Sequence, residues 1–217
     1  MANVAIIALN WGLTDGYVNT LKSFLTSIGH THTVYRDDNF SSGNFSDKDL
    51  IITIATTNEA SYPYQSIKTF LNSGKPILFG FARNGGTGDS QPLTRAKLVN
   101  TITNYSQSGY FVESVPSFLS SVLTPGQTLT NLDVDNGQIS TISAAGMAPG
   151  LTAHISTGSS FDSSKIVYAV TDGSGLDKVG GQIVGRAAFC GFMGNMSQTS
   201  KDIIAKTIDY LLEVATY

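Results

Sequence analysis

The chain is short of cysteine, charge and long apolar runs, and each shortage excludes a class of protein. The single cysteine among 217 residues excludes an intrachain disulfide and a cysteine-rich metal site. No apolar run approaches the roughly 18 residues of a membrane-spanning helix, so no membrane partner is expected. The apolar stretch Val4–Leu9 has no Lys or Arg before it and no cleavage signature. We therefore expect no secretory signal peptide.

Charged side chains make up only 13% of the residues, about half of the roughly 25% in an average soluble domain. The net charge of −3 argues against a nucleic-acid partner, because phosphate contacts need clustered Lys and Arg. Polarity comes instead from 25 Ser, 23 Thr and 13 Asn, beside 22 Gly. Hydrophobic residues at 41% still supply a core, so the composition predicts a soluble globular protein.

The first 82 residues alternate short apolar runs with amphipathic segments. Val4–Leu9, Leu50–Ala55 and Pro76–Phe81 predict strands that are covered on both faces and lie in the centre of a sheet. The helix after the first run is predicted to end at Gly29. This alternation predicts an α/β fold with a mainly parallel, doubly wound, flavodoxin-like sheet.

Between about residues 105 and 165 the helical periodicity disappears and short alternating segments replace it. We interpret 105–165 as a β-rich insertion or peripheral element within a single α/β domain, 1–217. Inside it, Thr128–Asp135 and Gln138–Ser143 flank Asn136-Gly137. Because Asn-Gly suits a type I′ turn, these segments predict a β-hairpin.

After this stretch the chain returns to α/β order. Ile166–Val170 and Arg186–Phe192 predict two further strands, and an amphipathic helix follows them. Thr199 and Asp202 have the spacing of a capping box at the start of this helix, with Asp in place of the usual Glu.

Four short segments of this pattern belong together. They are Ile28-Gly29-His30, Asp49-Leu50-Ile51-Ile52, Gly74-Lys75-Pro76-Ile77-Leu78 and Gly185-Arg186-Ala187-Ala188-Phe189. In this order, with a closing helix, they resemble the class I glutamine amidotransferase-like fold, and its trehalose-utilisation (ThuA-like) branch in particular. The resemblance covers roughly the first 100 and the last 35 residues. It implies an amidotransferase-like sheet.

The resemblance also shows what is missing. Catalytic members of that superfamily carry a Cys on a tight elbow after the strand that Lys75-Pro76 opens here, and a His after the late strand. The elbow position in this chain is Phe81, and Gly191–Asn195 contains no base. The resemblance therefore implies a scaffold without its catalytic Cys and His. Cys190 lies inside a predicted strand, which is typical of a small buried hydrophobe.

Two other motifs predict no cofactor. Gly86-Thr87-Gly88 is similar to part of a dinucleotide fingerprint, but Gln91 occupies the place of the third glycine, which favours a surface turn. His30 and His32 would face the same side of a strand. They lack a visible third ligand, so no metal site is predicted.

In a doubly wound sheet, ligands bind beyond the carboxyl ends of the strands. The polar and aromatic side chains predicted at that edge form a candidate ligand-binding set. They are Asn10, Trp11, Thr14, Asp15, Arg83, Asn84 and Asn195.

Functions reside in sites, so the missing nucleophile and base outweigh the fold in our prediction. We expect a non-catalytic structural or interaction protein, specifically a structural component of a phage virion, and not an enzyme. Its expected partners are other protein chains, in a homo-oligomer or a larger assembly, in the virion or the cytoplasm. The alternative is a small-molecule-binding protein or a hydrolase-like enzyme whose site lies at the carboxyl edge of the sheet.

Overall fold

The computed structural model describes residues 1–8, 15–36, 45–54, 65–80, 86–87, 101–106, 109–132, 138–171, 176–179, 182–194 and 196–213. The strands are β1 Asn3–Ile7, β2 Thr31–Tyr35, β3 Leu50–Thr53, β4 Ile77–Phe79, β5 Gly86–Thr87, β6 Thr101–Ser106, β7 Gly109–Val112, β8 Thr128–Thr130, β9 Gln138–Ile142, β10 Leu151–Thr157, β11 Ile166–Thr171, β12 Leu176–Val179, β13 Gln182–Val184 and β14 Ala187–Cys190. The helices are α1 Asp15–Ser27, α2 Gln65–Asn72 and α3 Gln198–Leu212, with 3-10 turns at Ser117–Leu119 and Ala144–Gly146.

Most strands join one mixed sheet in the order β2-β1-β3-β4-β14-β11-β10-β7-β8. Its first five strands are parallel, and the pairs from β14 onward are antiparallel. The three apolar runs form β1, β3 and β4, so the prediction that they lie in the centre of the sheet is confirmed. The direction of winding reverses between β1 and β3, as in a doubly wound sheet.

The parallel strands are apolar because helices cover both of their faces. In β1, Val4 and Ile6 belong to the core cluster that includes α1 and α3, whereas Ala5 and Ile7 belong to the cluster that includes α2. All four side chains are fully buried. This three-layer arrangement confirms the predicted α/β fold class.

Glycine ends α1 as the sequence predicted. Gly29 has a φ of +84°, in the left-handed region that L-residues other than Gly rarely adopt. The amide of His30 then donates to the carbonyl of Leu25 at 2.9 Å, which satisfies one carbonyl at the end of the helix.

The predicted hairpin across Asn136-Gly137 is wrong. β8 pairs with β7, whereas β9 pairs with β6 over five residues and with β11 at one position. The reason is burial: Ile139 and Ile142 of β9 are 0% and 1% exposed. A hairpin with β8, in which two of three residues are exposed, would not provide that burial. Residues 133–137 lie outside the described residues.

The start of α3 also differs from the prediction. Ser197 is the N-cap, and its Oγ accepts from the amide of Ser200 at 3.2 Å. Thr199 is already the second residue of the helix, so the predicted capping box lies two residues too late. Across the described parts of the chain, no helix is long and apolar enough to cross a membrane.

Candidate functional site

The carboxyl ends of the parallel strands lie level with one another. The amide of Ile54 donates to the carbonyl of Ile7 at 2.9 Å, and the amide of Gly80 donates to the carbonyl of Thr53 at 2.8 Å. The side chains of Ala8 and Ile54 are fully buried. These residues form an apolar floor at the edge where a doubly wound sheet binds its ligands.

The structure tests little of the predicted ligand-binding set. Asn10, Trp11, Thr14, Arg83, Asn84, Asn195 and the elbow residue Phe81 lie outside the described residues. Asp15 is the first residue of α1. The set stays a prediction.

The loop after β14 packs against the end of β4. A Cβ atom on Gly80 would lie 3.1 Å from Sδ and 3.3 Å from Cβ of Met193. Met193 and its neighbour Phe192 are fully buried. The segment in which the superfamily resemblance places a catalytic His therefore contributes apolar side chains to the core at this point.

A strand from the middle of the chain covers the end of β14. The amide of Ser140, in β9, donates to the carbonyl of Gly191 at 2.9 Å, and the amide of Gly191 donates to the carbonyl of Val167 at 2.8 Å. β14 stops pairing with β11 there, and β9 continues beside β11 through the pair Ile142 and Ile166. The carboxyl end of β14 is thus closed by backbone.

The approach between these two segments requires glycine. A Cβ atom on Gly191 would lie 1.8 Å from the carbonyl oxygen of Ser140. Backbone atoms cannot move aside as a flexible side chain can, so β9 reaches this position only because residue 191 has no side chain.

Cys190 is the last residue of β14 and the chain's single cysteine. It is fully buried, and this burial raises the pKa of its thiol well above the ordinary value. Because the thiolate is the nucleophilic form, both the burial and the raised pKa disfavour reaction of Cys190 in the folded protein. The prediction that it is a buried hydrophobe is confirmed.

A serine and a histidine that are 40 residues apart meet beside the antiparallel half of the sheet. The Oγ atom of Ser114 lies 2.8 Å from Nδ1 of His154, and His154 is only 7% exposed. The register of β10 shifts on either side of Ile155, so His154 sits at a bulge. Sequence reasoning missed this pair, because no motif connects the two positions.

Burial sets the charge state of this histidine. Desolvation lowers the pKa of His154 to about 4, so the imidazole is neutral at pH 7. A neutral imidazole can accept a proton from a hydroxyl group. Among the described side chains, however, Ser114 is its hydrogen-bond partner and no carboxylate orients the ring. We therefore assign Ser114 and His154 a structural role in the core.

Charged contacts collect instead at the amino edge of the parallel strands. Lys48 is 5% exposed, and its Nζ lies 2.8 Å from Oδ2 of Asp47, 3.3 Å from Oγ1 of Thr33 and 3.4 Å from Oδ1 of Asn3. Nζ of Lys75 donates to the carbonyl of Lys48 at 2.7 Å. This network joins the starts of several strands, at the edge opposite to the carboxyl ends of the parallel strands.

The two other motifs take structural positions. Gly86–Thr87 forms β5 and pairs with β6. Nδ1 of His30 accepts from the amide of Ala2 at 3.2 Å. Within the described ranges, no three side chains of His, Cys, Asp or Glu gather in an arrangement that could hold a metal ion.

Comparison with known proteins gives a likeness of fold. No protein-family profile matches the sequence, and no curated protein matches it. Solved structures that match have the α/β architecture of the amidotransferase-like and flavodoxin-like folds. Among them is a ThuA-like protein from Bacteroides uniformis, with a TM-score of 0.64 and 9% identity over 98% of this chain and 92% of that one.

Two further structures extend this result. PurLQS from Thermotoga maritima matches with a TM-score of 0.56 and 12% identity over 97% of this chain and 100% of that one. A β-galactosidase from Rahnella matches with a TM-score of 0.56 and 15% identity over 98% of this chain. This chain spans 32% of the length of that β-galactosidase. At these identities the likeness shows the fold alone.

Proposed function

We propose that this chain is a non-catalytic structural or interaction protein that acts as a repeated part of a larger assembly. The main support for this proposal is that β9 covers the carboxyl end of β14. Backbone of β9 lies against Gly191, and Met193 packs against Gly80. An acyl-transfer site needs a nucleophile, a base and space for the substrate at one place, and this part of the edge offers buried apolar side chains instead.

The chemistry of Cys190 supports the same proposal. An amidotransferase-type reaction needs a thiolate that reaches solvent. Burial raises the pKa of this thiol, and the chain has no second cysteine. The neutral imidazole of His154 is hydrogen-bonded to Ser114, and we assign it a structural role in the core.

The surface composition supports an assembly role. Only 13% of the residues are charged, which lowers the cost of removing water from a surface when it is buried against a neighbour. A groove of about 650 Å³ between α1 and α3 has a mostly uncharged lining that includes Asn19, Ser23 and Gln198, with Lys201 and Asp202 as its two charged residues. We extend the proposal on this basis to a phage virion as the assembly.

The β-galactosidase comparison is compatible with such a role. There the matching region is about a third of a longer chain, so this fold occurs as one part of a larger protein. Folds host different functions through different sites, and an accessory use of this one needs no catalytic residue.

The test is mass spectrometry of particles purified from the source, combined with size-exclusion chromatography of the lysate. We expect the chain in the particle in many copies. Its absence from every particle, together with elution as a monomer without partners, would overturn the assembly proposal. Hydrolysis of an amide or ester by the purified chain, lost in Asp15→Asn or Arg83→Gln, would favour the alternative of an enzyme at the carboxyl edge.

A further inference from the structure

β2 and β8, the two ends of the main strand order, differ in how well they block another strand. At one end, β8 has only three residues, and Asn131 after it has a φ of +60° that turns the chain away. At the other end, β2 runs in unbroken register with β1 over five residues. Proteins protect an edge strand with Lys, Pro, a bulge or shortness, and β2 has none of these.

The hydrogen bonds to β1 define which side of β2 is open. The amide of Thr31 donates to the carbonyl of Ala2 at 3.0 Å, and the carbonyl of Tyr35 accepts from the amide of Ala8 at 3.0 Å. In a parallel pair, alternate residues direct both backbone groups to the same neighbour. The residues between these two hydrogen-bonded positions therefore alternate between inward and outward.

The outward backbone groups belong to His32 and Val34. Their N–H and C=O groups face away from β1, and no described strand pairs with them, because β2 is the end of the sheet. Thr31 and Thr33 are exposed, and His32 and Val34 are half-buried. A strand that adds here gains main-chain hydrogen bonds.

We propose that β2 is the docking edge for a second copy of this chain, which pairs antiparallel about a two-fold axis at Thr33. This inference rests on the proposed assembly function and names its partner and surface. His32 then lies opposite Val34 of the second copy, and each such pair exchanges both N–H···O bonds. A register centred on His32 would instead need the amide of His30, which already donates to Leu25.

The side chains of β2 complement themselves in this register. Thr33 meets Thr33 of the second copy, and Thr31 meets Tyr35. Thr–Thr pairs and pairs of an aromatic with a β-branched residue both stabilise antiparallel strands. β2 has no Lys, Arg, Asp or Glu, so the pairing opposes no like charges. The charges beside Thr33 form the neutral pair of Lys48 and Asp47.

The position of β2 at the end of the main strand order also determines the size of the complex that we infer. An isologous contact uses the same edge on both copies and closes as a dimer. β8, at the other end, is too short to continue the sheet into a filament. The assembly unit that we infer is therefore a two-fold dimer with one continuous sheet.

Sedimentation velocity of the full chain over a wide concentration series tests the inference. We expect a dimer for the wild type. Thr33→Lys places two ammonium groups at the axis, in addition to the Lys48 ammonium group beside Thr33 in each copy, so it should give a monomer. Unchanged far-ultraviolet circular dichroism will show that this monomer is folded. Thr130→Lys makes the same change at an exposed position of β8 and should leave the dimer intact.

Cross-linking tests the register. Residues opposite each other in a non-hydrogen-bonded pair have Cα atoms about 4.5 Å apart, within the range of a disulfide. Thr33→Cys should therefore form a covalent dimer on mild oxidation, and Thr130→Cys should not. A wild type that is monomeric throughout would overturn the inference. An oligomer that survives Thr33→Lys, with no cross-link in Thr33→Cys, would also overturn it but leave the assembly function standing.

Discussion

Replacing Gly191 with alanine tests the closure at the end of β14. The added methyl group would lie 1.8 Å from the carbonyl oxygen and 2.9 Å from the carbonyl carbon of Ser140. β9 must move to make room, which breaks the hydrogen bond from the Ser140 amide to Gly191. Such overpacking costs about 1–3 kcal/mol, and each broken hydrogen bond about 0.5–1.5 kcal/mol.

We therefore expect Gly191→Ala to lower the free energy of unfolding by about 2–4 kcal/mol, a large share of the roughly 5–15 kcal/mol typical of a domain. Urea unfolding followed by circular dichroism measures it. Gly16→Ala is the matched control, because nothing lies within 4 Å of its added methyl group. That control should be neutral or stabilising by up to ~1 kcal/mol. Equal stability of Gly191→Ala and the wild type would refute the claim that the backbone of β9 packs directly against Gly191.

Two further predictions concern the core. The pKa of His154 is lowered to about 4 from 6.5, so the unfolded state binds the proton more tightly. The contribution of the neutral imidazole to the free energy of unfolding is complete above pH 6.5 and falls by about 3 kcal/mol as the pH drops toward 4. Urea unfolding at several pH values should show this loss in the wild type and a smaller loss in His154→Gln. Identical pH profiles of the two proteins would contradict the prediction. Ile52→Asp, at a fully buried position of β3, should cost more than ~3 kcal/mol because the carboxylate has no partner, and an unchanged melting temperature would contradict that burial.

The parallel half of the fold was predictable because its signal is local. An apolar run such as Leu50–Ala55 is typical of a strand covered on both faces whatever its neighbours are. Gly29 likewise marks the end of α1 through its own backbone conformation. Each of these features needs only a few adjacent residues.

The antiparallel half was not predictable in the same way. The segment Gln138–Ser143 predicted a hairpin through its adjacent Asn-Gly dipeptide, yet β9 pairs with β6 and reaches Gly191. That choice depends on contacts between distant segments, which local turn propensity does not contain. For this reason the sequence did not predict that β9 covers the carboxyl end of β14.

The same distinction between local and long-range signals applies to the candidate site. The absence of a base in Gly191–Asn195 and the character of Cys190 were readable from residue types. The contact of Ser114 with His154 spans 40 residues and has no sequence signature. Only the folded chain brings such a pair together.

Labelling of Cys190 with iodoacetamide tests the central claim, that this scaffold works through its surfaces and not through a catalytic thiol. We predict that native protein labels slowly, at a rate set by unfolding, because the thiol is fully buried and its pKa is raised. Protein unfolded in urea should label quickly and serves as the control. Native labelling as fast as the unfolded rate, together with a glutamine or ester hydrolysis activity that Cys190→Ser abolishes, would contradict the account.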